Sequence, residues 1–473
     1  MSVELAWTIL HAFNWIVLGY FILLNSVYLV TSIFAFRALR LYARRLKALE
    51  IDDLVAGAGA PPISLIAPAH NEEATCVESV KSLLALNYPD FEILVVNDGS
   101  SDRTLERLAE AFDLVPSPRS PTAEIPTKNV REIYRSRRSP DLWVIDKENG
   151  GKADALNVGV NHCHSPFFCA IDADSLLERD ALSRIIRPFL EDGTTVASGG
   201  IIRIVNGCTV NSGMVTDIRL PRSLLASFQV LEYLRAFLAG RMGWDAMNST
   251  LIISGAFGLF RRTTVVDVGG YATDTVGEDM ELVVRMQRHC LEKGIPARIG
   301  FVPDPVAWTE CPETMKVLGR QRDRWQRGLI ETLSRHRVML FNRRYGTIGT
   351  TAFPYFYCLE MMGPIIELCG YIVFIASWFA GILTPLFVTA FLLVALVLGI
   401  ALSIAAVGLE ELSFRRYPRQ SDLLKLFALA IVENFGFRQL CTYWRVRGVY
   451  SALRGRKGWG KMDRKGFGDG ARG

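Results

Sequence analysis

Cysteine occurs nine times in 473 residues, never as Cys-x-x-Cys and never at regular spacing. This argues against a zinc ribbon and a disulfide framework, and fits a reducing compartment. Histidine is scarcer still, at six. The run His162-Cys163-His164 has no second ligand group at a suitable spacing, so it reads as a helix end near a turn. Internal repeats and heptads are missing, which argues against solenoids and coiled coils. A net charge of +5 is too mild for a nucleic-acid partner. The longest absence is of charge itself: no Asp, Glu, Lys or Arg occurs from Leu5 to Phe36.

That uncharged stretch is long enough to cross a bilayer with tilt. No basic residue precedes it, and it is too long for the apolar part of a signal peptide. Arg37, Arg40, Arg44, Arg45 and Lys47 follow at once. The positive-inside rule makes this flank cytosolic. Residues 1–50 are therefore a transmembrane helix and basic flank, and 51–62, rich in Ala, Gly and Pro, are a linker. Residues 349–381 are apolar apart from Glu360 and Glu367, and Ile382 to Gly408 carries no charge. The two glutamates lie two helical turns apart, on one face. They and Glu433 either line a polar path or pair between helices. Arg415, Arg416 and Arg419 mark a second cytosolic flank. Leu423 to Trp444 is interrupted by Lys425, Glu433 and Arg438, and the tail from Arg445 carries nine Lys/Arg against two Asp. A span at 423–444 would put that tail outside, so we expect a re-entrant or interfacial helix there. The boundaries expected are 346–444 for these C-terminal helices and 445–473 for a basic cytosolic tail.

Between the apolar ends, residues 63–310 read as a soluble α/β domain. Ile63 to Ala69 and Phe91 to Asp98 are apolar strands, each followed by a helical pattern. Alternating strands and helices at this spacing imply parallel βαβ units. Leu142 to Ile145 and Phe167 to Ile171 are further strands, while Gly151 to Asn161, Glu178 to Leu190, Leu224 to Met242 and Glu278 to Lys293 are helical. Leu114 to Lys128, rich in Pro, Ser and Thr, reads as an exposed insertion. Met315 to Met339 mixes bases with apolar residues at helical spacing, so 311–345 reads as interfacial helices.

Polar groups stand where these strands end. In open α/β sheets such groups converge on one crevice at the strands' carboxyl ends. Asp172 and Asp174 follow the Phe167–Ile171 strand, and in an extended chain they share a side. Two hard oxygen donors suit Mg²⁺ or Mn²⁺ shared with substrate phosphates. The other clusters are Ala67–Glu73, Asn97–Asp102, Lys147–Asn157, and Gly277-Glu278-Asp279 with Gln321-Arg322-Asp323-Arg324-Trp325.

With these clusters in this order, the chain from Ile63 to Trp325 resembles a membrane-embedded, processive family-2 glycosyltransferase. Cellulose, hyaluronan, chitin and poly-N-acetylglucosamine synthases are of this type. The resemblance implies a GT-A-type nucleotide-sugar-binding domain with a mixed, mainly parallel sheet, plus transmembrane and interfacial helices. It implies inverting transfer from a UDP-sugar to a growing polysaccharide, at a multi-pass plasma-membrane protein whose catalytic domain is cytosolic. Asp174 is then the metal ligand, with Asp172 on the metal or the donor sugar. Lys152 lies against the diphosphate. Asp98, Ala67 and Glu72 form the base and ribose pocket. Asp279, with Glu278 beside it, is the general base. Gln321, Arg324 and Trp325, at i, i+3 and i+4, serve donor phosphates and acceptor sugar.

Each residue has an ordinary reading too: helix caps for Asp98, Glu72 and Asp279, a surface lysine for Lys152, a membrane anchor for Trp325. The family pattern often has Thr before Glu-Asp, where Gly277 stands here. Poly-β-1,6-N-acetylglucosamine is the product expected first. A glycolipid transferase adding one sugar to a membrane lipid, and an inactive export scaffold, are the alternatives. Membrane lipids and accessory membrane subunits are the other partners considered.

Overall fold

The computed structural model describes residues 3–48, 59–211 and 213–456. Residues 51–58 of the expected linker and 457–473 of the basic tail lie outside them. The chain divides into two units: residues 41–221 with 248–311, and residues 1–40 with 222–247 and 312–460. Each is described by itself.

The first unit is built on one ten-stranded sheet. Its strands are β1 (Ile63–Ala69), β2 (Phe91–Asp98), β3 (Leu114–Pro116), β4 (Val130–Ser136), β5 (Leu142–Lys147), β6 (Phe167–Ile171), β7 (Leu176–Leu177), β8 (Thr195–Ile204), β11 (Phe257–Arg261) and β12 (Arg298–Thr309). A separate hairpin joins β9 (Thr209–Asn211) to β10 (Met214–Asp217). The sheet order is β3-β4-β5-β2-β1-β6-β11-β8-β12-β7. Its centre, β5-β2-β1-β6, is parallel. These strands are near-continuous apolar runs because both faces are covered. Helices Lys152–His162 and Glu278–Lys293 bury Leu156, Val160, Leu282 and Met286 in one core with Ile66, Leu94, Ile145 and Phe168. Each such side chain contributes about 1.5–3 kcal/mol when fully buried.

Register fixes where the strands end. Ala69 pairs with Asn97, and Asp98 with Lys147, while β6 starts level with β1. The parallel strands therefore release their chain at one edge of the sheet. Three expectations change. The 114–128 segment is not simply exposed, because Ile125 is buried in the core and the buried Arg119 donates from Nε to His162 O at 2.8 Å. The 71–86 helix begins only at Cys76, after a turn at Asn71 with φ +57°. The 178–190 helix is two short ones, Ala181–Ile185 and Arg187–Glu191, with Pro188 in the second.

The second unit is helical. Two helices, Trp7–Arg45 and Pro385–Ser413, are long and apolar enough to cross a membrane. Ile348–Met361 and Gly363–Phe379, bent by 42° at their junction, make a third span if taken as one. The 224–246 helix, expected in the soluble domain, belongs to this unit. So does Met315–Arg335, one face of which is packed: Arg322 and Arg327 are buried, and Leu318 packs with Trp444 and Phe437. Arg322 pairs with Glu232 at 2.6 Å, and Arg327 with Asp323 at 3.1 Å.

Candidate active site

Four of the five sequence clusters meet in the first unit. Gly151, with φ +88°, caps the Lys152–His162 helix, so Lys152 projects from its first turn. Its Nζ lies 2.5 Å from Asp172 Oδ1 and 3.6 Å from Glu278 Oε1, and donates to Gly255 O at 3.4 Å. Burial pulls the Lys152 pKa down, but Asp172 and Glu278, with Asp279, more than reverse this and hold it above the usual lysine range. The ammonium is therefore charged throughout the neutral range. Asp279, at the first turn of the Glu278–Lys293 helix, accepts from Gly255 N at 3.0 Å and from Met280 N at 2.8 Å. Gly255 thus links both groups, donating to the aspartate and accepting from the lysine.

The Asp172–Asp174 pair is not extended. β6 ends at Ile171, and Ser175 N donates to Asp172 O at 3.0 Å, closing a turn. In consequence Asp172 remains 29% exposed while Asp174 is buried. Among the described residues no group of three His, Cys, Asp or Glu is placed to hold a metal alone. Two carboxylates in one turn still fit Mg²⁺ or Mn²⁺, because Mg²⁺ commonly takes one or two carboxylates and completes its shell with phosphates and water.

Asp98 is 3% exposed. Its Oδ1 takes Lys147 Nζ at 2.6 Å and Gly150 N at 2.9 Å; its Oδ2 takes Gly151 N at 2.8 Å and Asn149 Nδ2 at 3.4 Å. A carboxylate has about four lone-pair sites, so these partners hold it firmly at the end of β2. Asp98 is the anchor of the 147–151 loop. Lys147, which sequence reasoning passed over, is 0% exposed and lies between Asp98 and Asp154, the latter at 2.7 Å. Gly99 (φ +59°) is required beside it, since a Cβ would lie 2.7 Å from Asn149 N.

Ala67 lies within β1. β1 runs two residues beyond it, its backbone pairs with Val95, and its methyl is buried. The exposed residues at this strand end are His70 and Asn71; His70 Nδ1 lies 2.9 Å from Asp98 O. Glu72 accepts from its own turn, from Thr75 Oγ1 at 2.8 Å.

Gln321, Arg324 and Trp325 lie in the helical unit. Gln321 is buried, and among the described residues its Oε1 has no hydrogen-bond partner. Trp325 is 37% exposed, with the Arg322 guanidinium 4.3 Å from its ring centroid. The three glutamates Glu360, Glu367 and Glu433 are bonded between helices. Glu360 meets Arg445 at 3.0 Å and Tyr28 at 2.9 Å; Glu367 meets Thr442 at 2.8 Å; Glu433 meets Arg438 at 2.8 Å and Ser403 at 2.7 Å.

A mixed, mainly parallel α/β sheet that gathers acids and two lysines at its strand ends is a fold of the GT-A type, with its ligand crevice at those ends. A model described as glycosyl transferase family 2 matches residues 64–263. One described as glycosyl transferase family group 2 matches residues 167–404, half of the chain. The chain belongs to the family-2 glycosyltransferases and transfers glycosyl groups. It is 28% identical over 345 residues to the poly-β-1,6-N-acetyl-D-glucosamine synthase of Staphylococcus aureus (strain COL), covering 72% of this chain and 69% of that one. The Staphylococcus epidermidis protein of the same name is 29% identical over 328 residues, covering 69% and 67%. A solved mannosyltransferase of Pyrobaculum calidifontis, in complex with GDP-Man and Mn²⁺, is similar at 17% identity and TM-score 0.49, over 92% of this chain and 100% of that one.

Proposed function

We propose that the protein extends a β-linked N-acetylglucosamine polymer from a UDP-sugar at a membrane, by inverting transfer. The reading is carried by the Lys152, Asp172, Glu278 and Asp279 group around Gly255, in a chain similar to poly-N-acetylglucosamine synthases over most of its length. Asp279 takes the proton as the acceptor hydroxyl forms its bond to the anomeric carbon. The bond from that carbon to the diphosphate breaks, and the electron pair leaves with the nucleotide. Lys152 neutralises the departing diphosphate. Asp172 and Asp174 would hold a divalent cation, which when bound supplies further neutralisation of that charge. Glu72 is assigned to the ribose side. Within the helical unit, Trp325 is assigned to sugar stacking, and Gln321 and Arg324 to polar donor contacts.

The test is product analysis. Purified protein is supplied with labelled UDP-N-acetylglucosamine and other nucleotide sugars, with Mg²⁺, Mn²⁺ or chelator. Size-fractionated long product that hydrolyses to glucosamine is expected. Short, lipid-soluble product would instead establish a glycolipid transferase.

A further inference from the structure

We infer that the loop 336–346 of the helical unit is a recognition surface for anionic phospholipid headgroups. The loop is held from within: His336, Met339 and Tyr345 are buried. Asn342 ties it together, with Nδ2 donating to Val338 O at 3.1 Å and Oδ1 accepting from Arg344 N at 3.0 Å. What this frame presents outward is apolar and basic. Phe341 is 66% and Val338 46% exposed, and Arg337, Arg343 and Arg344 are exposed beside them.

Phe341 also has φ +53°. A bulky aromatic in the left-handed region is a real outlier. Such strain persists where surrounding structure imposes it, and it clusters at binding sites. Here it turns a large ring out of the protein, which has no benefit in water.

The occupant follows from charge and position. No Asp or Glu occurs between Glu331 and Glu360, so no acid within the segment offsets the three arginines. The bent apolar pair that makes a candidate span starts at Ile348, two residues beyond the loop. An apolar tip flanked by arginines at the start of a span matches the interface of a bilayer with negative headgroups. This is a claim about lipid class at one loop, and it stands or falls apart from the sugar chemistry.

The test replaces Phe341 with p-benzoylphenylalanine in the full chain, reconstituted in nanodiscs of phosphatidylcholine with 30% phosphatidylglycerol, about the anionic share that gives a useful surface potential. A second version carries the photoprobe at Val338, in case position 341 does not accept it. Irradiation and mass spectrometry read the adducts. We expect the ratio of phosphatidylglycerol to phosphatidylcholine adducts to exceed their ratio in the bilayer by about threefold or more. We expect that excess to vanish in Arg343→Gln/Arg344→Gln and at high salt. Adducts in simple proportion to lipid content, adducts to a second copy of the chain, or no lipid adduct from either position would overturn the proposal.

Discussion

At the scale of single residues, Asp279 and Lys147 stand for two kinds of carboxylate partner. Asp279 is half-buried, with its oxygens held by backbone N–H groups. Asp279→Asn keeps its shape and one acceptor oxygen but removes the basic group. Its kcat is expected to fall by about 10²-fold or more, while nucleotide affinity measured by calorimetry changes little. Full activity in that variant would remove Asp279 from the mechanism. Lys147 is instead a buried cation between Asp98 and Asp154. Breaking a buried ion group by deleting one partner costs about 3–5 kcal/mol, because the remaining charges are left buried. Lys147→Met should therefore lower the thermal unfolding midpoint by about 10 °C. Adding Asp98→Asn and Asp154→Asn should restore most of it, since no uncompensated charge then remains. Equal midpoints for all three proteins would show the group to be solvated and unimportant.

At the scale of elements, the catalytic geometry depends on one turn between two helix starts. Gly255 lies ahead of β11 and contacts both Lys152 and Asp279. A Cβ there would lie 3.0 Å from Lys152 Nζ and 3.3 Å from Asp279 Oδ2. Gly255→Ala should therefore push the two groups apart with little loss of core packing. Its kcat is expected to drop about 10- to 100-fold, as misplacements near 1 Å do, with an unchanged unfolding midpoint. An unaltered kcat would mean that the two groups do not act together. Gly255 was illegible in the sequence because a glycine in a small, apolar stretch carries no sign of what approaches it. The helix beginning at Glu278 was legible to the residue, since acids at its start and Lys293 with Gly294 at its end announce both termini. The central strands were legible as unbroken apolar runs. β12 was not, because Pro303, Asp304 and Pro305 interrupt it, and a proline argues against a sheet interior. The register shift between Val302 and Val306 admits them as an irregularity. β8 was hidden by Gly199 and Gly200 at its middle. The contacts of Asp98 and Ala67 were illegible for a related reason: the sequence marks strand ends but not which way a side chain turns.

At the scale of the whole molecule, the helical unit bears on a topology that charge counting alone left open. Gln420–Val432 has 13 residues, about 20 Å of helix, too short for a hydrocarbon core of about 30 Å. Gly436, with φ +107°, then starts Phe437–Leu453. Along that helix Thr442 bonds Glu367 and Arg445 bonds Glu360. Rising numbers on this helix thus meet falling numbers across the bent pair, Glu367 after the bend and Glu360 before it, so Phe437–Leu453 runs against 348–379. If 348–379 crosses outward from the cytosolic side, 437–453 returns inward. Residues 420–453 then form a re-entrant helical hairpin, entering after Arg415, Arg416 and Arg419 and leaving on the same side. The basic tail no longer conflicts with the positive-inside rule. A fluorescent protein fused after Gly473 should therefore fluoresce in a bacterial host, and alkaline phosphatase fused there should be inactive. The same two reporters fused at the Met1 end, with a carrier segment suited to each, should give the opposite pair, because Leu5 to Phe36 crosses once before Arg37. Active phosphatase after Gly473 would mean that one of the two short helices spans, and that the Glu360–Arg445 pairing belongs to a different membrane arrangement.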